Sequence, residues 1–558
     1  MYNRRPFPIL ATLRSFVVAV VVAVAVPAHA ADWYVAPLTK PPTSQAPSGT
    51  KGDPFATVAL ALASGKIGGG DRILMMPGPH GALIVRGTPA FDKQVTIMSE
   101  TERTAQVDSI LIREASNIRV LSLSVWPAKP LETSTSWLVE TTNTASDIVV
   151  EDLVLRSENG DLAKFATWDK ATWLKQSISG IFLIGPRSSA LRNDLLGIGN
   201  GIFIGGDDSK AISNVVNFYS GDGMRGLGNN NVFRSNRVFN CITVNDNHAD
   251  GFQSYAGSTG KITGLVLDSN IILEWTYSKK DHPLRCELQG MGLFDGFYDN
   301  LTIINNLVTT THYHGISVYG ARKALVANNT VANTDNLTGS KPFLAVVNHK
   351  NGTPSSNVLV ANNVAMSFLD ENGPGSTVVF RNNSVIGTPG AVFENPFALD
   401  YRPKASSGFL DTADAASATS VDILGKPRPS GSGPDRGAYE VVNGASPADP
   451  TILGGTEAPK PDIPVAEAPV LTEPVIKEPV APVPVVREPV VSAPVVPEPV
   501  VKPPVVPKPV VTKPVVTKPV VTEPVKTTKP RRKPSRWVVK SLTDFMKSMS
   551  GRLSGIRF

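Results

Sequence analysis

One short string, asparagine followed by apolar residues, returns along the middle of this chain: "RNDLLG" at Asn193, "SNRVF" at Asn236, "SNIIL" at Asn270, "NNLVT" at Asn306, "NNTVA" at Asn329, "NNVAM" at Asn363 and "NNSVI" at Asn383. The shortest intervals are 20 to 23 residues, and the longer ones read as one repeat plus an insertion. A second ladder runs beside the first: "SGIFL" at Gly180, "NGIFI" at Gly201, "DGMRG" at Gly223, "DGFQS" at Gly251, "QGMGL" at Gly290 and "HGISV" at Gly315. Apolar residues fall at every second position, so each repeat holds short strands separated by Asn and Gly turns. A unit of this size cannot bury its own apolar face and must stack on its neighbours. Equivalent strands then form parallel sheets with a spacing of about 4.8 Å. Asparagine suits the bend, because its side chain bonds local backbone and its equivalent in the next turn. The expected fold is all-β, a right-handed parallel β-helix. A propeller needs a longer, four-stranded period and a leucine-rich repeat needs its leucine signature; the sequence has neither.

The ends of the chain differ from this middle. Arg4, Arg5 and Arg14 precede the apolar run Phe16 to Val26, and "AHA" ends at Ala30, the pattern of a secretory signal peptide over residues 1–30. The run is too short for a membrane span, so an exported protein, periplasmic or extracellular, is expected. The repeats belong to a β-helix domain over residues 31–444. Residues 445–530 are dense in proline and valine, which forbids helix and continuous sheet and implies an extended, low-complexity spacer. In residues 531–558, Val538, Leu542, Phe545, Met546, Met549 and Leu553 recur at helical spacing among Lys and Arg. This is a short basic amphipathic helix suited to an anionic membrane surface or an acidic polymer. Residues 1–30 carry +3 and residues 531–558 carry +7, which leaves −4 for the rest of the +6 total. The body is therefore no polycation built for nucleic acid. The two cysteines, Cys241 and Cys286, read equally as a disulfide or as two buried thiols.

The opening "DWYVAP", with "GTKGDPFATVALAL" and "GGGDRILMMPGPHG" after it, resembles the N-terminal cap of secreted right-handed β-helix proteins of the pectate-lyase-like superfamily. The closing "DILGKPRPSGSGPDRGAYE", Asp422 to Glu440, is similar to their usual final turn. The resemblance covers about residues 32–441 and implies the fold. Polysaccharide lyases, hydrolases, epimerases and binding proteins share that architecture.

Strand alternation assigns directions to the Gly ladder. One residue after each Gly stand Ile181, Ile202, Met224, Phe252, Met291 and Ile316, all apolar and core-facing. Two after stand Phe182, Phe203, Arg225, Gln253, Gly292 and Ser317, which point outward. Four after, Tyr255, Phe294 and Tyr319 form an outward aromatic file. Just before each Gly stand Ser179, Asn200, Asp222, Asp250, Gln289 and His314, a polar column expected to line the exposed rim of a groove. His248 and Asp246 belong to the turn beside Asp250. The interval from Gly251 to Gly290 is 39 residues, and its excess, "EWTYSKKDHPLRCELQ", is a candidate lid. In it Trp275 and Tyr277 offer faces for sugar rings, while Lys279, Lys280, His282 and Arg285 offer charge and protons.

These features suit a monomer that binds an acidic polysaccharide. The leading reading is a lyase that cleaves a uronate-containing polysaccharide by β-elimination, or the related C5-epimerase. Asp222, Asp250, His248, Lys280, Arg285 and His314 are the candidate catalytic residues, and Arg225, Gln253, Tyr255, Trp275, Tyr277, Lys279, Phe294 and Tyr319 the candidate substrate contacts. Calcium is the candidate cofactor, with Asp222, Asp246 and Asp250 as hard oxygen ligands, although no metal set is fixed. A second reading is glycoside hydrolysis. "ADGFQ" and "YHGISV" are similar to motifs of polygalacturonase-like hydrolases, which Asp250 and His314 would carry, but "QGMGLFDG" lacks the expected Asp pair; Asp222 with Asp250 could replace it. A third is a non-catalytic polysaccharide- or cell-surface-binding protein. His312 and His349 read as structural or surface residues, and the "GGDD" turn at Gly205 to Asp208 as a polar turn.

Overall fold

A computed structural model describes residues 30–129, 137–333 and 339–441 of the protein. The expected signal peptide lies outside the described residues but for Ala30, and the proline spacer and the basic tail lie wholly outside them. Among the described residues the strands form three long parallel sheets of 14, 11 and 12 strands. The chain visits them in a fixed rotation. Lys210–Ile212 lies in the first sheet, Val215–Tyr219 in the third, and Met224–Gly226 in the second, before Val232–Arg234 returns to the first. Each strand pairs in parallel with its equivalent one coil on, as Met224 with Phe252, Phe252 with Met291, and Met291 with Ile316 in the second sheet. This is the right-handed parallel β-helix that the repeats imply.

The asparagines form a continuous amide ladder between the first and third sheets. Asn193 Nδ2 donates to Asn214 Oδ1 at 2.9 Å, Asn214 to Asn236 at 2.9 Å, Asn236 to Asn270 at 3.0 Å and Asn270 to Asn306 at 3.0 Å. The series continues through Asn329, Asn363 and Asn383. The backbone N–H of each rung donates to the same Oδ1, as Asn236 N does to Asn270 Oδ1. Asn214, in "SNVVN", is a further rung that fits the same pattern and is absent from the series above. The Asn193 to Asn236 interval is therefore two repeats rather than one with an insertion. The residue before each rung turns the chain through the left-handed region, with φ of 57° at Ser213, 55° at Ser235 and 56° at Asn305. Serine and asparagine tolerate this by bonding local backbone.

Inside the coils, the expected core columns are buried: Ile181, Ile202, Met224, Phe252, Met291 and Ile316 stack with Leu183, Ile204, Leu293 and Val318 in one apolar cluster. A helix at Val58–Ala63, capped by Thr57, buries Val58 and Ala61 at the N-terminal end. The closing segment does not merely cap the other end. It runs back along the solenoid, where Asn362 Nδ2 donates to Asp414 O and Asn305 Nδ2 to Val421 O. Its side chains Phe393, Tyr401, Phe409 and Tyr439 pack with Ile271, Leu273 and Leu307 on the outside of the third sheet. Arg428 and Glu440, both fully buried, pair at 3.1 Å within this segment.

Candidate functional site

The three outer faces differ in what they leave open. The third sheet is covered by the chain itself, through the closing segment and through a second cluster in which Phe165, Trp168, Trp173 and Trp275 pack with Leu196 and Phe218. The first sheet carries ion pairs along its outside, among them Arg119 and Arg192 on Glu151, Arg234 on Asp268 and Arg322 on Asp299. Paired charges of this kind satisfy each other. The second sheet presents Trp137, Phe182, Arg225, Gln253, Phe294, His314 and Tyr319, each partly exposed, on six of its coils.

This relocates the candidate lid. Trp275 is buried beneath Phe218, with ring centroids 5.7 Å apart, and Tyr277 meets the same Phe218 ring at 5.5 Å. His282 is buried too: its Nε2 lies 3.0 Å from Ala166 O and its Nδ1 accepts from Leu284 N. Arg285 grips the fully buried Glu274 through Nε at 3.0 Å and Nη2 at 2.7 Å. Glu274 also accepts from Thr311 N at 2.8 Å. Cys241 and Cys286 are disulfide-bonded, with Cα atoms 5.6 Å apart. The insertion is thus pinned onto the third sheet, because its apolar residues find partners there. Trp275, Tyr277, His282 and Arg285 are not groove residues, and Lys279 and Lys280 are exposed on the same insertion.

A second correction concerns the polar column. Asp250 is in register with Gln289, and Asp250 N donates to Asp222 Oδ1 at 3.0 Å, so the residues share one edge as expected. Yet Asp222 and Asp250 are each only 1% exposed. The two acids are covered within a polar ladder whose other members, Ser179, Asn200, Gln289 and His314, stay partly exposed: Asn200 Nδ2 reaches Ser179 Oγ, Asp222 N reaches Asn200 Oδ1, and Asp250 N reaches Asp222. The other oxygen of Asp222 holds Arg225. Burial raises the Asp222 carboxyl while the Arg225 charge draws it back down. Asp250 has Gln253 Nε2 on Oδ2 at 3.0 Å and no partner on the buried Oδ1. Burial first, and the neighbouring Asp222 second, push Asp250 up to about 9, so it is a neutral carboxylic acid at pH 7.

The expected aromatic file is broken. A register irregularity after Ser254 sets Asp295, not Phe294, opposite Tyr255. Tyr255 instead faces the Arg225 guanidinium, 5.3 Å from its ring centroid. Phe294 and Tyr319 do meet, edge to face at 5.4 Å, and Phe294 also meets His314 at 5.0 Å. His314 Nδ1 lies 2.8 Å from Ser317 Oγ. Burial, then His312 and Lys350, bring His314 down to about 4, so its imidazole is neutral at pH 7. His248 is exposed in its turn, close enough to His312 for its charge to disfavour protonation there. Lys350 Nζ lies 5.7 Å from the Phe294 ring and 2.7 Å from Asp295.

Gly292 organises these groups. In the outward column it lies between Gln253, which holds Asp250, and Ser317, which holds His314. A Cβ on Gly292 would stand 2.3 Å from the Phe294 ring and 2.6 Å from Asp250 Oδ1, so both converge on the space that a side chain would fill. Gly292 is itself buried, and the Phe294 ring covers it together with the Asp250 carboxyl, while His314 meets the same ring at 5.0 Å. Sequence reasoning missed Ser317 and Lys350 as site residues. The outward column contained Ser317, whereas Lys350 arrives from a loop with no periodic signal.

These residues do not fit a calcium cradle. Asp222 is committed to Arg225, Asp250 is buried with Gln253 on one of its oxygens, and Asp246 is exposed in the turn. No three acidic, His or Cys side chains gather as a ligand set among the described residues.

No family model and no curated protein matches the chain. Among solved structures it is similar to the pectate lyase Pel9A, at 16% identity over 74% of this chain and 96% of that one, with a TM-score of 0.38. It is also similar to the PL6 family alginate lyase AlyGC, at 14% identity over 78% and 60%, TM-score 0.38. A third is the A-module of the Azotobacter vinelandii mannuronan C-5 epimerase AlgE6, at 13% identity over 59% and 90%, TM-score 0.31. Those names describe those proteins; this chain is a right-handed parallel β-helix on the strength of its own strand pairing.

Proposed function

We propose that the protein is an exported, monomeric enzyme that binds an acidic polysaccharide along the outer face of the second sheet and cleaves it by β-elimination over Gly292. The observation that carries this reading is that the buried Asp250 carboxyl and the His314 imidazole stand on one edge of the sheet, two coils apart, with Gly292 and the Phe294 ring between them; burial favours the neutral form of each. Groups whose environments push their pKa values apart are suited to separate acid and base roles at one pH. His314 Nε2 takes the proton next to the uronate carboxylate, whose charge Lys350 meets by giving up its solvent-exposed pair with Asp295, an exchange that costs little, unlike the buried Arg225–Asp222 pair. The electron pair forms the new C=C bond as the glycosidic C–O bond breaks, and Asp250 gives its proton to the leaving oxygen. Phe294 turns aside to admit the sugar. C5 epimerisation shares the first step and returns the proton to the opposite face.

The test is incubation with polygalacturonate, alginate and glycosaminoglycans while ultraviolet absorbance reports the unsaturated product. Appearance of absorbance, and its loss in His314→Ala, supports the reading; reducing ends without absorbance overturn it in favour of hydrolysis. The burial of both carboxylates favours one alternative, a non-catalytic groove in which they serve only the fold. Retention on polymer with no product singles that out.

A further inference from the structure

The reaction proposed above uses only the coils around Gly292, and the upstream half of the same face has a different chemistry. The Trp137 ring centroid lies 5.0 Å from those of both Phe182 and Phe203. The Arg225 guanidinium stands 4.3 Å from the Phe203 centroid and 5.3 Å from that of Tyr255. Its charge is already taken by Asp222. The other charged group in the outward column here is Glu140, the register partner of Phe182. A uronate carboxylate laid on this surface would meet the Glu140 carboxyl and a guanidinium that is compensated. The apolar face of an uncharged sugar ring would meet aromatic surface, the contact that such rings favour. Five coils separate Phe182 from Ser317, or roughly 24 Å at about 4.8 Å per coil, so one extended polymer can span both regions.

We propose that Trp137, Phe182 and Tyr255, arranged around the buried Phe203, form a second binding segment of the groove for uncharged sugar units, so that the substrate is a polysaccharide mixing uronate with neutral sugars. This rests on the reading of the Gly292 region as the uronate-processing site.

Kinetics on uronate-only polymers, polygalacturonate and alginate, are compared with kinetics on mixed polymers, hyaluronan and the alternating rhamnose–galacturonate backbone. The wild-type protein is expected to prefer a mixed polymer. In Trp137→Ala the ratio of kcat/KM on mixed to uronate-only polymer falls about tenfold, the size of one lost aromatic contact. An unchanged ratio, or a wild-type preference for uronate-only polymer, overturns the proposal. Phe182→Ala replaces Trp137→Ala if the latter melts early by circular dichroism. If no polymer yields product, the Gly292 reading fails by itself. Binding isotherms of the His314→Ala protein with the same polymers then decide the platform: weaker mixed-polymer binding on adding Trp137→Ala supports it, and unchanged binding sinks it.

Discussion

Asp250 and His314 stand two coils apart on one edge of the second sheet, an acid that burial keeps protonated and an imidazole that burial keeps neutral. A reaction that needs both forms should show a broad plateau of kcat/KM between pH of about 4 and about 9, falling on the acid side as His314 protonates and on the alkaline side as Asp250 ionises. Asp250→Asn and His314→Ala should each lower kcat by roughly 100-fold or more. A profile centred on an ordinary histidine pKa of about 6.5 would remove His314 from the base role.

Stability should report the same carboxyl. The folded pKa of Asp250, about 9, exceeds that of an unfolded aspartate, about 3.9, so its contribution is fully present below pH 4 and is lost as pH rises towards 9. Asp250→Asn cannot ionise. Its denaturation midpoint should lose that dependence, and at pH 9 it should exceed the wild type by more than about 1 kcal/mol. Parallel pH curves for the two proteins would place the carboxyl outside the burial described.

The insertion over residues 274–288 is a structural element, not a lid. Breaking its buried Glu274–Arg285 pair with Arg285→Ala should destabilise the fold by about 3 to 5 kcal/mol. Lys280→Ala and His282→Ala should leave kcat within about twofold at a temperature where both are folded, as expected of residues outside the reacting groups. A loss of turnover without a loss of stability in either would return the insertion to the site.

Removing one rung of the amide ladder tests what holds the coils in register. Asn236→Ala strands the Asn214 amide and its backbone N–H, and should cost at least about 2 kcal/mol in chemical denaturation. An exposed asparagine such as Asn245, replaced in the same way, should cost less than about 0.5 kcal/mol.

Chelation bears on the candidate calcium. Because Asp222 is committed to Arg225 and no set of three acidic, His or Cys side chains gathers among the described residues, dialysis against EDTA should leave product formation unchanged. A rate restored by added calcium alone would show that the acidic side chains rearrange around an ion.

Much of the solenoid was legible because its physics is periodic. The Asn rungs and the alternation of Ile202, Phe203 and Ile204 repeat at a fixed interval, so direction follows from spacing. Depth at the corners did not follow, because a residue at a strand start is buried or exposed according to the coil beside it. Asp222 and Asp250 are covered by each other, Arg225 and Gln253, which no spacing reveals. The insertion misled for a related reason. Trp275 and His282 look like sugar and proton ligands by residue type, yet their partners Phe165, Trp168 and Ala166 lie more than a hundred residues earlier.

The amide spine also separates two design problems. Since each rung fixes its strands whether the next rung is 21 residues away, as from Asn193 to Asn214, or 36, as from Asn270 to Asn306, connecting loops can lengthen without shifting the sheets. Loops bordering the open face can therefore be exchanged as cassettes, to test which polymer the proposed groove takes, while the scaffold beneath keeps its geometry.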